Sequence, residues 1–234
     1  MKKILVTLQM EEQLKRQIVE AARPYGYDVV FASGEEAVAA AAGAEILYGP
    51  ALEPLRAAKE AKWYCCSNAG VNNVLAEGVL PSDDILVSNS AGAYGVTIAG
   101  HIIMVLLMMM RRFADYSQVM ETENWAVNYE MGSIMGSRIT LLGTGDIGTN
   151  TAKRLRAFEP YSITGVNRTG KVREEVYDRV LPMEKLDDVL PETDILIMSL
   201  PDTPLTKNAL SAKRLDLLKK GAWIVNVGRG GSVD

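Results

Sequence analysis

Short apolar runs alternate with amphipathic stretches along most of the chain. Lys3 to Leu8 reads as a strand, and Glu11 to Ala22 as a charged, periodic helix that stops before Pro24 and Gly26. Tyr27 to Ala32 predicts a second strand and Glu35 to Ala42 an alanine-rich helix. Strand Glu45 to Tyr48, broken by Gly49-Pro50, leads to helix Leu52 to Ala61. Strand Trp63 to Ser67 runs into the loop Asn68-Ala69-Gly70, and a fifth strand spans Ile85 to Ser88. Strands that alternate with helices imply βαβ units and a parallel sheet.

A long apolar helix follows, from about Tyr94 to Arg112. Then come a polar, aromatic-bearing stretch, Asp115 to Tyr129, and a glycine-containing loop, Met131 to Gly136. A second alternating block starts at Ser137, with strand Arg138 to Leu142, helix Ile147 to Phe158 and strand Ser162 to Val166. It continues with a helix near Lys185 to Val189, strand Ile195 to Ser199, helix Ala212 to Leu218 and strand Trp223 to Val227. The pattern is two α/β units joined by a long helix, with the boundary near residues 92–98 and no fixed short repeat.

Composition narrows the chemistry. The 234 residues are 48% hydrophobic and 23% charged, an ordinary globular balance, and the net charge of −4 argues against nucleic acid as a partner. Ala93 to Met110 is long enough to be weighed as a membrane span, but it carries Gly95, Thr97, Gly100 and His101, which favours a buried helix. The N-terminal apolar run is too short for a signal peptide, so the cytoplasm is the expected compartment and no membrane partner is expected. There is one histidine, His101, and there are two cysteines, Cys65 and Cys66. These three cannot supply a four-ligand zinc site, so no metal is expected, and adjacent cysteines close no useful disulfide loop.

The sharpest local feature is Gly143-Thr144-Gly145-Asp146-Ile147-Gly148, a G-x-G-x-x-G sequence between a predicted strand and a predicted helix. That context is the one a dinucleotide-binding turn requires. Gly143 permits the tight turn, Gly145 lets backbone approach a pyrophosphate, and Gly148 lets helix and strand pack closely. The helix N-terminal amides would then meet the phosphate charge. The competing reading is a plain strand-turn-helix corner.

The end of the next strand bears on which dinucleotide. An NAD site places an acidic residue there for the ribose hydroxyls. This chain has Asn167-Arg168-Thr169, then Lys171, and no carboxylate. Arg168 matches a 2′-phosphate, with Asn167, Thr169 or Lys171 adding hydrogen bonds, so NADP(H) is expected over NAD(H).

The remaining segments fall into one pattern. Ser67-Asn68-Ala69-Gly70-Val71-Asn72, Asn89 to His101, the glycine loop, Leu200-Pro201-Asp202-Thr203-Pro204-Leu205-Thr206 and GAWIVNVGRGGSVD at Gly221 to Asp234 are collinear with one family. The chain resembles the D-isomer-specific 2-hydroxyacid dehydrogenases, the family of phosphoglycerate dehydrogenase and glyoxylate/hydroxypyruvate reductase. The resemblance implies a flavodoxin-like substrate-binding domain over 1–96 and a Rossmann NAD(P)-binding domain over 97–234, the latter truncated. It implies that backbone N–H groups of Ala69, Gly70 and Val71 hold the substrate carboxylate. Arg229 matches the arginine that binds the 2-oxo acid and polarises its carbonyl. Leu200, Pro201 and Thr206 match a segment along the cofactor, and Val227 and Gly228 match backbone beside the nicotinamide ribose. A small 2-oxo or 2-hydroxy acid is the implied substrate, and a homodimer the implied assembly, with the long helix near the contact.

One departure matters. The family's acid–base histidine and its carboxylate partner lie C-terminal to the matched arginine, and here the sequence stops at Asp234. His101 matches a structural position on the long helix, so a buried or interfacial role is expected for it. Two readings follow: a 2-hydroxyacid dehydrogenase present as an inactive fragment, or a non-catalytic binding protein that senses NADP(H). Cys65 and Cys66 read as small buried hydrophobes in a strand.

Overall fold

In a computed structural model of the chain, residues 2–123, 128–171 and 174–234 are described. They form two compact units, Met1–Ala93 and Tyr94–Asp234.

The first unit runs β1 (Lys2–Val6), α1 (Glu12–Ala22), β2 (Tyr27–Phe31), α2 (Gly34–Ala40), β3 (Ala44–Gly49), α3 (Leu52–Ala57), β4 (Trp63–Cys66) and β5 (Leu86–Asn89). Its five strands lie in the order β2-β1-β3-β4-β5, and every pairing is parallel. This is the flavodoxin-like order. Leu5, Leu47, Leu55 and Tyr64 are almost fully buried within it. The Tyr64 hydroxyl donates to the Gly49 carbonyl at 2.8 Å, so its polar tip is satisfied inside the core. Of the two cysteines, Cys66 is buried while Cys65 is half-buried on the opposite strand face. Burial pushes the Cys65 thiol above its ordinary value, which makes a poor nucleophile.

The second unit begins with α4 (Gly95–Met110) and α5 (Phe113–Glu121), followed by β6 (Arg138–Leu142), α6 (Asp146–Leu155) and β7 (Ser162–Asn167). It continues with β8 (Arg179–Pro182), α7 (Leu186–Val189), β9 (Ile195–Met198), α8 (Ala212–Leu215) and β10 (Trp223–Asn226). Its parallel sheet has the order β10-β9-β6-β7-β8, which is the Rossmann arrangement with β6 as the first strand. Along α4, Gly95, Ala99, Ile102, Leu106 and Met110 are buried, at helical spacing. Fully burying a Leu or Ile side chain is worth about 1.5–3 kcal/mol, which accounts for an apolar helix without a membrane. No single helix among the described residues is long and apolar enough to cross a membrane; α4 and α5 pass only as a pair bent by 60°.

Several expectations need correction. The helix expected over Leu52 to Ala61 ends at Ala57, because Ala58 leaves the helical region at ψ 74. The helix expected over Ala212 to Leu218 ends at Leu215. Helix α5 starts at Phe113 and runs into the stretch Asp115 to Tyr129, which the sequence reading gives no element, since none of its residues is buried and no apolar stripe marks it. Residues 124–127 of that stretch lie outside the described residues. Strand β8 was also missed: it is a short edge strand ending in Pro182. His101, expected to be buried or interfacial, is exposed on α4, so the buried alternative does not hold.

Candidate functional site

At the C-terminal end of β6 the chain turns through Gly143 at φ +107, a backbone region that L side chains rarely adopt. A Cβ there would also press on Ser199 at the end of β9. Gly148 has a different reason: a Cβ would run into the Gly143 carbonyl oxygen, so only glycine lets α6 pack this close to the turn. Gly145 has neither constraint. Its φ is −77, its position is exposed, and a Cβ would meet nothing within 4 Å. Room and bare backbone therefore coincide at the α6 N-terminus, which no side chain caps. The first amides of a helix have no intrahelical partner, and their partial positive charge suits an anion. This cradle fits a dinucleotide pyrophosphate.

Asp146 opens α6 and would oppose an anion if it faced one. Its carboxylate instead lies against Gly95, the first residue of α4, and accepts from Asn150 Nδ2 at 2.9 Å. The charge is thus spent at another helix N-terminus.

The loop rests on a polar support that the sequence did not disclose. Thr149 Oγ1 donates to the Thr144 carbonyl at 3.3 Å and meets the Tyr177 hydroxyl at 3.4 Å. Tyr177 is 8% exposed, and burial pushes its phenol above the ordinary value, with the Thr149 hydrogen bond opposing. Gly165, inside β7, has Thr144 Cγ2 at 2.6 Å and the Tyr177 ring at 3.0 Å from where a Cβ would stand. A glycine inside a strand signals such a close approach. Tyr177 gave no signal, since the strand after it went unrecognised.

At the end of β7, Arg168, Thr169 and Lys171 are exposed, and no ion pair holds Arg168 among the described residues. Asn167 is not displayed beside them. Its side chain is bonded within the chain, to Thr144, Lys171, Thr169 and Gly170.

The end of β10 has a similar device. Asn226 Nδ2 donates to the Arg229 carbonyl at 3.0 Å, and Asn226 Oδ1 accepts from the Gly228 amide at 3.0 Å. Gly228 is needed because a Cβ would stand 2.6 Å from the Leu200 carbonyl oxygen. The Val227 amide donates to Met198, which seats this loop beside the end of β9. Arg229 is exposed; its guanidinium donates to the Gly228 carbonyl at 3.1 Å, and no ion pair holds it among the described residues. Pro201 and Thr206 belong to one turn: Thr206 Oγ1 donates to the Pro201 carbonyl at 2.6 Å and accepts from the Thr203 amide at 2.9 Å. That Thr206 hydroxyl therefore organises its own loop.

In the first unit, the loop after β4 carries Ala69, Gly70 and Val71. Asn89 Nδ2 donates to the Ala69 carbonyl at 2.7 Å, and the Ser90 amide donates to the Asn68 carbonyl at 3.2 Å. Both tie the loop by its carbonyls.

A cavity of about 320 Å³ in the second unit lies elsewhere. It is lined by residues before β6, β9 and β10, including Ser137, Asp194 and Ala222, at the strand ends opposite the glycine loop. No cluster of three potential metal ligands occurs among the described residues.

A family model described as D-isomer specific 2-hydroxyacid dehydrogenase, NAD binding domain, matches residues 103–234. The chain is 27% identical over 176 residues to a glyoxylate/hydroxypyruvate reductase of Arabidopsis thaliana, covering 72% of this chain and 51% of that protein. A crystal structure of a D-isomer specific 2-hydroxyacid dehydrogenase family protein from Aeromonas salmonicida superposes with a TM-score of 0.88 at 26% identity, covering 100% of this chain and 74% of that one. An NADPH-dependent glyoxylate/hydroxypyruvate reductase from Sinorhizobium meliloti, solved with NADP and sulfate, shares the fold with a TM-score of 0.79 at 22% identity, covering 100% and 75%. The chain spans about half the length of the curated relatives it matches.

Proposed function

This chain belongs to the D-isomer-specific 2-hydroxyacid dehydrogenase family, and from that premise we propose that it forms the nucleotide-binding and carboxylate-binding part of an NADPH-linked reductase of small 2-oxo acids. The observation that carries the reading is the Arg229 loop. A permanently charged, planar guanidinium stands at a strand end with no competing ion pair among the described residues, held through its backbone by Asn226. Such a fork can take a carboxylate oxygen and the neighbouring carbonyl oxygen together, and it offsets charge that builds on the carbonyl oxygen. The amides of Ala69, Gly70 and Val71, in the first unit, are read as binding groups for the substrate carboxylate. The cofactor supplies hydride when bound. Gly143 to Gly148 hold its pyrophosphate, Arg168, Thr169 and Lys171 face its 2′-phosphate, and Leu200, Pro201, Val227 and Gly228 line its nicotinamide side.

Two features of the Arg168 loop support NADPH over NADH: exposed cations, and no carboxylate at the end of β7. The exposed apolar side of α4, with Val96, Met104 and Met108, supports self-association as a homodimer. Free Cys65 and Cys66 accord with a cytoplasmic setting. His101 has no part in the chemistry.

Titration with NADPH, NADH and oxalate, a 2-oxo acid mimic, tests the reading. NADPH binds more tightly than NADH by about tenfold or more, and Arg168→Asp erases the difference. Arg229→Ala weakens oxalate binding in the presence of NADP⁺ by about a hundredfold while leaving NADPH affinity within about threefold. Equal affinities for the two nucleotides refute the 2′-phosphate assignment, and oxalate binding that survives Arg229→Ala refutes the arginine's role.

A further inference from the structure

Asn167 was expected to contact the nucleotide directly, but its side chain is already committed. A primary amide offers two donor hydrogens and an oxygen with two lone pairs. Asn167 Nδ2 donates to Thr144 Oγ1 at 2.8 Å and to the Lys171 carbonyl at 3.0 Å. Asn167 Oδ1 accepts from the Thr169 amide at 3.0 Å and the Gly170 amide at 2.7 Å. All four sites are filled within the chain, which leaves no capacity for a ribose hydroxyl or a phosphate oxygen.

Those four bonds have a shared result. The two accepted amides fold residues 167–170 into an Asx turn. The bond to the Lys171 carbonyl closes the turn, and the bond to Thr144 ties it to the glycine loop. On its far side, Gly170 has φ +68, and a Cβ there would stand 2.8 Å from Pro182 Cδ. The loop is therefore pinned by its own asparagine, by the glycine loop and by the end of β8. Arg168 and Thr169 are displayed from this pinned turn, and Arg168 is free of ion pairs among the described residues.

We infer that Asn167 is a positioning residue that sets the preference for a 2′-phosphorylated adenine dinucleotide, by holding the Arg168 loop in its binding shape on Thr144 before the nucleotide arrives. The inference rests on the reading of Arg168 as the 2′-phosphate partner. Ordering a loop on binding costs affinity, and a loop ordered in advance avoids that cost. Because only the 2′-phosphate reaches for Arg168, the advantage falls on NADPH and not on NADH. The same bond to Thr144 joins the adenosine-side loop to the pyrophosphate loop.

The test uses Asn167→Ala, with Thr144→Val as a milder second variant that removes only the hydroxyl accepting from Asn167. The affinity ratio of NADPH to NADH falls by about tenfold in Asn167→Ala and about threefold in Thr144→Val, and in Asn167→Ala the NADH affinity changes by less than about twofold. In nucleotide-free protein, the Thr169 and Gly170 amides exchange hydrogen faster in Asn167→Ala than in the unmodified chain. A purely structural role instead weakens both nucleotides equally, and that result overturns the inference. So does unchanged exchange at Thr169 and Gly170. If the ratio survives both substitutions yet collapses in Arg168→Asp, the inference fails and the function stands. If the unmodified chain has no NADPH preference, the reading beneath it fails first.

Discussion

Both sheets place their first strand beside the point where strand order reverses, the usual site of ligand crevices in open α/β sheets. In the first unit that point lies between β1 and β3, and there Thr7 packs against Gly49. Thr7 follows β1, its amide donates to the Tyr48 carbonyl at 2.8 Å, and its side chain occupies the space where a Cβ on Gly49 would be. Helix α1 then opens with Glu11 as N-cap and Glu12 in its first turn, two acids at an end that would otherwise attract an anion. In the second unit the same position, between β6 and β9, is left open at Gly145. Its one acid, Asp146, is turned toward Gly95 of α4. The topologies prepare both crevices. What separates them is which side chains are missing and where the first carboxylate points.

Breaking the open crevice gives the largest effect. Gly148→Ala forces a Cβ onto the Gly143 carbonyl oxygen, a backbone atom that cannot swing away. Overpacking of this kind costs about 1–3 kcal/mol, and more where backbone must shift. Thermal denaturation should report that loss, and the variant should no longer bind either nucleotide.

A smaller effect separates the two units by pH. The second unit staples strand starts with carboxylates: Asp194 accepts from the Arg138 amide at 2.7 Å, and Asp178 from the Ile163 amide at 2.6 Å. For Asp194, burial pulls the carboxyl up, but Lys219 and the Arg138 amide outweigh it and hold it below the usual 3.8. For Asp178, burial is likewise outweighed by the Ile163 amide and by Arg156, so this carboxyl also sits below 3.8. A folded-state value below the unfolded one gives stability that is present above about pH 3.8 and lost as pH falls through the lower folded value. Hydrogen exchange across that range should therefore rise in β6 and β7 before it rises in β1 and β3. Asp194→Asn should remove most of the difference at β6.

The strand-turn-helix at β6 and α6 was legible because its constraints are local. The apolar run Ile139 to Leu142, the glycine spacing and the periodicity of α6 all sit in consecutive residues. The strand order was legible only as a class, since alternation predicts parallel pairing without saying which strands are neighbours. Helix α5 and strand β8 escaped because neither buries a periodic face. The direction of the Asn167 side chain was not legible for a related reason. Sequence places a polar amide next to Arg168, but whether it turns outward to a ligand or inward depends on Thr144, far earlier in the chain, and on amides two and three residues ahead. Thr206 turned inward for similar reasons, toward Pro201 and Thr203. Tyr177 and Thr149 carry no motif, and only the packing of Gly165 places them under the loop.

Under the proposed function, the second unit's open crevice is a nucleotide cradle and not merely a tight corner. Gly145 separates the two, because its φ of −77 admits any residue and a Cβ meets nothing within 4 Å. Calorimetric titration of NADPH into Gly145→Val, with thermal denaturation alongside, is the most direct measurement. The expected melting temperature is within about 4 °C of the unmodified chain, since valine is a poorer N-cap than glycine, and the NADPH affinity is at least about fiftyfold weaker, since the side chain fills the space the pyrophosphate needs. A folded Gly145→Val variant that binds NADPH as tightly as the unmodified chain would contradict it.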